Sequence, residues 1–195
     1  MGLFDIIDFL FVPPLMKGTS LIPNPKPLPY AKGLLKSIFE TKVDPVKGSI
    51  LMCKIAGGVF EHSGIYVGNG KVVELSGTGF VRQVSMSEFL NNGITRTGSG
   101  IYVACDPSDD PLHSYIIAKR AKKMLGTYRD YNFATDNCHQ FTAGCITGDF
   151  DNPVNFFWML NDLIAEELNY GESVKWHLCY GNSDEINLLG DIVHY

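Results

Sequence analysis

The chain has 195 residues, 45% of them hydrophobic and 19% charged, with a net charge of −5. That size suits one domain with extensions, able to bury a core without disulfide or metal staples. The acidic balance, with no local block of Lys or Arg, excludes a nucleic-acid footprint. The five cysteines, at 53, 105, 138, 145 and 179, are scattered and lack C-x-x-C spacing. They give neither a disulfide framework nor a zinc site, so no metal and no cofactor is expected, and a reducing, cytoplasmic setting fits best.

In chain order, Gly2 to Val12 is apolar except for Asp5 and Asp8. It has no basic n-region and is too short to span a bilayer. Packing on its own domain is the plain reading; peripheral membrane contact through Leu3 to Val12 is the other. Pro13, Pro14, Pro23, Pro25, Pro27 and Pro29 follow, a run that favours an extended arm. These segments, 1–43, precede a compact domain expected over 44–150, and 151–195 forms a C-terminal extension packing on it. A short helix is predicted over 33–42. Strands are predicted over 49–55, with a break at Gly57-Gly58, and then over 59–67 and 71–75, joined at Gly68-Asn69-Gly70 as a β-hairpin. A further strand over 80–84 leads into Ser85-Met86-Ser87-Glu88, a capping-box pattern that opens a short helix. Residues 101–104 read as a strand. Pro111 suits the first turn of a helix that holds Ile116, Ile117, Ala121, Met124 and Leu125 and ends at Gly126. Asp136 and Asn137 are good N-cap residues for a helix that starts at Cys138 and stops at Gly148. The extension reads as a helix followed by irregular chain. Together these elements form an α+β pattern, an antiparallel sheet packed against a helix that carries a Cys.

Cys138 in a first helical turn lies beside the positive end of the helix dipole, which favours a nucleophilic thiolate. A thiol nucleophile also needs a base within reach and a third group to fix that base's tautomer. His62 on the first hairpin strand and Glu74 on the second meet that need. Gly64 leaves room for a helix to approach the sheet, and Tyr66 sits two residues further along the same face. The chemistry requires His62 and Glu74 on one face. A two-residue turn at Asn69-Gly70 would put them on opposite faces, whereas a three-residue loop with Gly70 at positive φ pairs Val67 with Lys71 and Glu74 with Gly64. His62, Gly64, Tyr66, Val72 and Glu74 are then expected to face the Cys138 helix, with Ile65, Val67, Val73 and Leu75 turned away.

The block from His62 to Glu74, His-Ser-Gly-Ile-Tyr-Val-Gly-Asn-Gly-Lys-Val-Val-Glu, resembles the H-x-x-x-Y-x-G-x-G-x-x-x-[H/E] block of the lecithin:retinol acyltransferase family. Asn137-Cys138-His139-Gln140-Phe141, with Cys145 and Gly148, resembles that family's N-C-E-H-F block. Ala121 to Gly126 and Tyr128 match the helix, glycine and tyrosine placed before its Cys. The resemblance covers 44–150 and implies the circularly permuted, NlpC-type papain-like fold, in which His and the third polar residue precede the Cys. It implies Cys138 as nucleophile, His62 as general base and Glu74 as its orienter, with an acyl thioester formed from a phospholipid ester. His139-Gln140 stands in place of the family's Glu-His, and Phe60 stands where a Tyr is often found two residues before the His.

Three functions follow as alternatives. The first is a thiol-dependent acyl hydrolase or acyltransferase on a lipid-like ester, with Phe60, Gly64, Tyr66 and Asn137 on the substrate side. The second is a cysteine peptidase or amidase, which needs an open polar cleft. The third is a non-enzymatic binding module.

Overall fold

The computed structural model describes residues 42–55, 60–91, 100–130, 132 and 137–181. The N-terminal segment, the proline-rich arm, the helix expected over 33–42 apart from Lys42, the Gly57-Gly58 break and Asp136 lie outside them. The strands are β1 (Ile50–Ile55), β2 (Phe60–Gly68), β3 (Lys71–Leu75), β4 (Val81–Ser85), β5 (Gly100–Cys105) and β6 (Lys175–Gly181). They form one sheet in the order β4-β3-β2-β1-β5-β6. Every neighbouring pair is antiparallel. Among the described residues four helices accompany the sheet: α1 (Met86–Leu90), α2 (Tyr115–Lys123), α3 (Cys138–Thr147) and α4 (Phe157–Leu168).

Strand alternation sorts the apolar side chains into two cores. Ile50, Met52, Ile65, Val67, Val73, Leu75 and Trp176 pack with Ile117 of α2, Phe141 and Ala143 of α3, and Leu160 and Ile164 of α4. Leu51, Cys53, Val72, Ile101 and Val103 pack on the other face with Met86, Phe89 and Leu90 of α1. Burying each large apolar side chain contributes about 1.5–3 kcal/mol, so both layers hold the sheet. Helix α3 lies inside the larger core, and every residue from Cys138 to Ile146 is buried. Among the described residues no helix is long and apolar enough to cross a membrane.

The β2–β3 hairpin turns on Asn69 and Gly70, both at positive φ (54° and 66°). Gly68 pairs with Lys71, yet the next pairs are Tyr66 with Val72 and Ile65 with Val73. Val67 is therefore a bulge residue, and Gly68 beside it has φ 92°. One extra residue in one strand shifts side-chain parity. The expected register for His62 and Glu74 is reached by this bulge after a two-residue turn, not by a three-residue loop.

Three other expectations change. The face of His62, Gly64, Tyr66, Val72 and Glu74 is covered by α1, and the apolar face of Ile65, Val67, Val73 and Leu75 packs on α3. The more apolar face takes the thicker helical layer. Helix α2 starts at Tyr115 with Ser114 as N-cap; Pro111 instead forms a bridge with Cys105 at the end of β5. The tail supplies β6, paired along β5, where irregular chain was expected. Its Trp176 is fully buried and donates from Nε1 to Asn161 Oδ1 of α4 at 2.9 Å.

Gly64 does allow a helix to approach, but that helix is α1. A Cβ there would lie 2.9 Å from Phe89 Cε2, 3.0 Å from Val72 Cγ1 and 3.1 Å from the Val73 carbonyl oxygen. Gly64→Ala should therefore destabilise the fold by about 1–3 kcal/mol through overpacking. Urea unfolding should show a lower midpoint at unchanged slope; an unaltered midpoint would mean that Phe89 yields freely.

Candidate active site

The site starts from the N-terminus of α3. Asn137 is its N-cap, in extended conformation, and its Oδ1 accepts from the N–H groups of His139 (2.9 Å) and Gln140 (3.3 Å). Its Nδ2 donates to the Asn155 carbonyl at 2.8 Å, which ties the approach to α4 to the same helix end. Gly148, at φ 94°, closes the other end. Cys138 is the first helical residue and is buried, with 5% exposure.

The first turn of α3 is fastened to β2. Ser63 Oγ donates to the Cys138 carbonyl at 3.1 Å and lies 3.0 Å from both His139 Nδ1 and Thr142 Oγ1. The last paired residues of β2 and β3 are Ile65 and Val73, and the same register carried on would bring Leu75, the last residue of β3, opposite Ser63. Residues 60–62 of β2 thus run past the end of β3, with β1 as their strand neighbour.

His62 sits on that overrun, buried, with its Nε2 donating to Glu74 Oε2 at 2.7 Å. A carboxylate accepts only, so Nε2 carries the proton and Nδ1 is the basic nitrogen. The Phe89 ring backs the imidazole, with centroids 5.1 Å apart. Glu74 has no exposed surface. Its second oxygen accepts from Arg82 Nε at 2.9 Å and Nη2 at 2.8 Å. Arg82 is the β4 residue paired with Glu74. Sequence reading missed it, although an opposite-charge pair across neighbouring strands was a usable signal.

The remaining candidates fall in different places. Phe60 is partly buried at the start of β2. Tyr66 lies about 13 Å along the strand from His62, four residues at roughly 3.3 Å each. Its hydroxyl accepts from the Gly70 N–H at 3.1 Å, holding the hairpin turn. Gln140, in the variant pair after the Cys, donates to the Asn152 carbonyl, and Asn152 Nδ2 donates back to the Gln140 carbonyl at 3.0 Å. All five cysteines are unbridged and buried. Burial pushes the thiols of Cys105 and Cys179 up to about 12 and raises that of Cys145 further, which makes them poor nucleophiles. Among the described residues no group of His, Cys, Asp and Glu could hold a metal ion.

His139, by contrast, is held neutral. Burial first, then the charge of His62, pushes it from 6.5 down to about 3, against a smaller upward pull from the Glu61 backbone. The unfolded chain therefore takes up a proton between those values and the folded chain does not. The stability involved is whole above the unfolded value and is lost as pH falls towards the folded one, at up to about 1.4 kcal/mol per pH unit. Urea unfolding from about pH 7.5 to about pH 5 should show wild type losing stability more steeply than His139→Gln. Parallel curves would contradict the burial argument.

The family model described as lecithin retinol acyltransferase matches residues 45–151. A comparison with curated proteins finds none that matches the chain. The family match runs from just before β1 to just after α3, and so contains the hairpin, Arg82 and the Cys138 helix start. It spans more than half of the 195 residues, and on that ground the chain belongs to the lecithin retinol acyltransferase family.

Proposed function

We propose that the protein is a thiol-dependent acyl hydrolase or acyltransferase that works through an acyl thioester on Cys138, with a lipid-like ester as donor. The observation that carries this reading is the buried His62–Glu74 pair. Donation from Nε2 to the carboxylate supports Nδ1 as the base, in the strand to which the Cys138 turn is bonded through the adjacent Ser63. His62 and Ser63, which holds the Cys138 turn, are neighbours in β2 and so point to opposite faces of the strand. The overrun of β2 past β3 supports a thiol that reaches the imidazole around the strand edge. The order His, Glu, Cys along the chain suits a permuted papain-like arrangement.

In this mechanism His62 Nδ1 takes the Cys138 proton, and the sulfur attacks the ester carbonyl. The oxyanion is met by the backbone N–H of Cys138 at the positive end of α3. As the tetrahedral species collapses, the carbon–oxygen bond breaks and the leaving alkoxide takes the proton from the imidazolium. Water, an alcohol or an amine then attacks the thioester, gives its proton to His62 and releases the acyl group, while the sulfur recovers its proton. Glu74 keeps the imidazole oriented and favours its charged form. Phe60, two residues before His62, offers apolar surface and no donor.

Intact-mass analysis after exposure to a short-chain activated ester, a phospholipid and a peptide should show an acyl adduct on Cys138 with the first two. Cys138→Ala should abolish the adduct and turnover, and His62→Ala should do nearly as much without adding to it. Glu74→Gln should retain more activity than either. Iodoacetamide should modify Cys138 ahead of Cys53, Cys105, Cys145 and Cys179. Faster modification of any of those four, or an adduct with peptide alone, would overturn the reading.

A further inference from the structure

Glu74 is fully buried, and a carboxylate in that position needs positive partners. Among the described residues, His62 and Arg82 reach it. His62 takes Oε2 at 2.7 Å, and the Arg82 guanidinium places Nε and Nη2 on Oε1 at 2.9 and 2.8 Å. Were His62 the sole match, it would have to keep its proton permanently, and a protonated imidazole is no base. We propose that Arg82 is a positioning residue whose fixed charge balances Glu74 and so leaves His62 able to lose and regain a proton. This rests on the reading of His62 as the base.

The geometry suits the task. Glu74 and Arg82 are direct partners in the β3–β4 ladder, so backbone register sets their contact. Two N–H groups of one planar guanidinium converge on a single oxygen, and Arg holds its charge at any working pH. The Arg82 side chain is 39% exposed. It therefore keeps contact with water on its outer side while neutralising a carboxylate that has none. When Cys138 gives its proton to His62, the row becomes thiolate, imidazolium, carboxylate, guanidinium, alternating in sign throughout.

The other groups around His62 do not replace Arg82. Cys53 of β1 is its register partner, and α3 contributes Cys138 and the neutral His139. Glu61 precedes it in β2, and Lys54 lies opposite Glu61 in β1. Helix α1 offers the Phe89 ring, while its Glu88 is exposed and engaged with Ser85. Among the described residues, Arg82 is the cation hydrogen-bonded to the carboxylate that orients His62.

The test reads the His62 ring directly, by NMR titration of the full chain in a Cys138→Ala background, where no thiolate perturbs it. With Arg82→Gln added, Glu74 acts on His62 unopposed, and the His62 pKa should rise by about one unit or more. Arg82→Lys, which keeps the charge but not the fork, should titrate close to the parent. An unchanged or lower value in Arg82→Gln would overturn the proposal, as would an equal rise in Arg82→Lys. Should Arg82→Gln fail to fold, Arg82→Lys decides alone: parent-like titration supports charge balance, and a rise overturns it. No turnover is measured, so this result is separate from that of the thioester test.

Discussion

A carboxylate sealed from water dictates much of this molecule. Glu74 has both oxygens occupied, one by an imidazole from β2 and one by a guanidinium from β4. A buried charge stripped of either partner is strongly destabilising, so three strands must keep one registry for it to be tolerated. The bulge at Val67 sets half of that registry and the β3–β4 ladder sets the rest. The Phe89 ring then closes the face from above, fitting against the bare backbone of Gly64.

The opposite face has a different logic. Helix α3 is buried from Cys138 to Ile146, so most of the unpaired backbone groups near its ends need protein partners. Asn137 serves the N-terminal N–H groups. At the C-terminus Arg120 of α2 donates to the Cys145 carbonyl at 3.2 Å and to that of Ile146, a cation where the helix dipole favours one. Gln140 and Asn152 bond to each other's backbone and hold the chain beyond the helix against its side. Cys138 is thereby carried on an element fixed at both ends and along its length.

Most of the sheet was legible because β1 to β5 are short runs rich in apolar and β-branched residues, bounded by Gly and Asn. The start and stop of α3 were legible from Asn137 and Gly148 alone, since a helix buried all round shows no amphipathic period. Parity along β2 and β3, taken with the chemical need for a shared face, could put His62 and Glu74 together. It could not say which helix covers that face, because both faces are buried and polarity does not separate them. Gly68-Asn69-Gly70 admits either a longer loop or a tight turn with a bulge, and only backbone geometry distinguishes the two. Arg82 was visible as a residue but not as a partner, because its role appears only when the third strand is laid in register. Trp176 to Tyr180 has the alternation of a strand, and its position far behind the hairpin hid its place in the sheet.

That last strand makes the whole chain a slow assembly problem. β5 and β6 meet across roughly seventy intervening residues, from Cys105 to Lys175, and contacts of such long range delay folding. Until β6 arrives, β5 presents an open row of backbone donors and acceptors lined by fully buried apolar residues, the kind of edge on which chains aggregate. The family match stops at residue 151, before either α4 or β6. A fragment cut at that limit would retain Cys138, His62 and Glu74 and still expose this edge. A piece that covers this edge must include β6, a limit set by strand pairing and not by the chemistry.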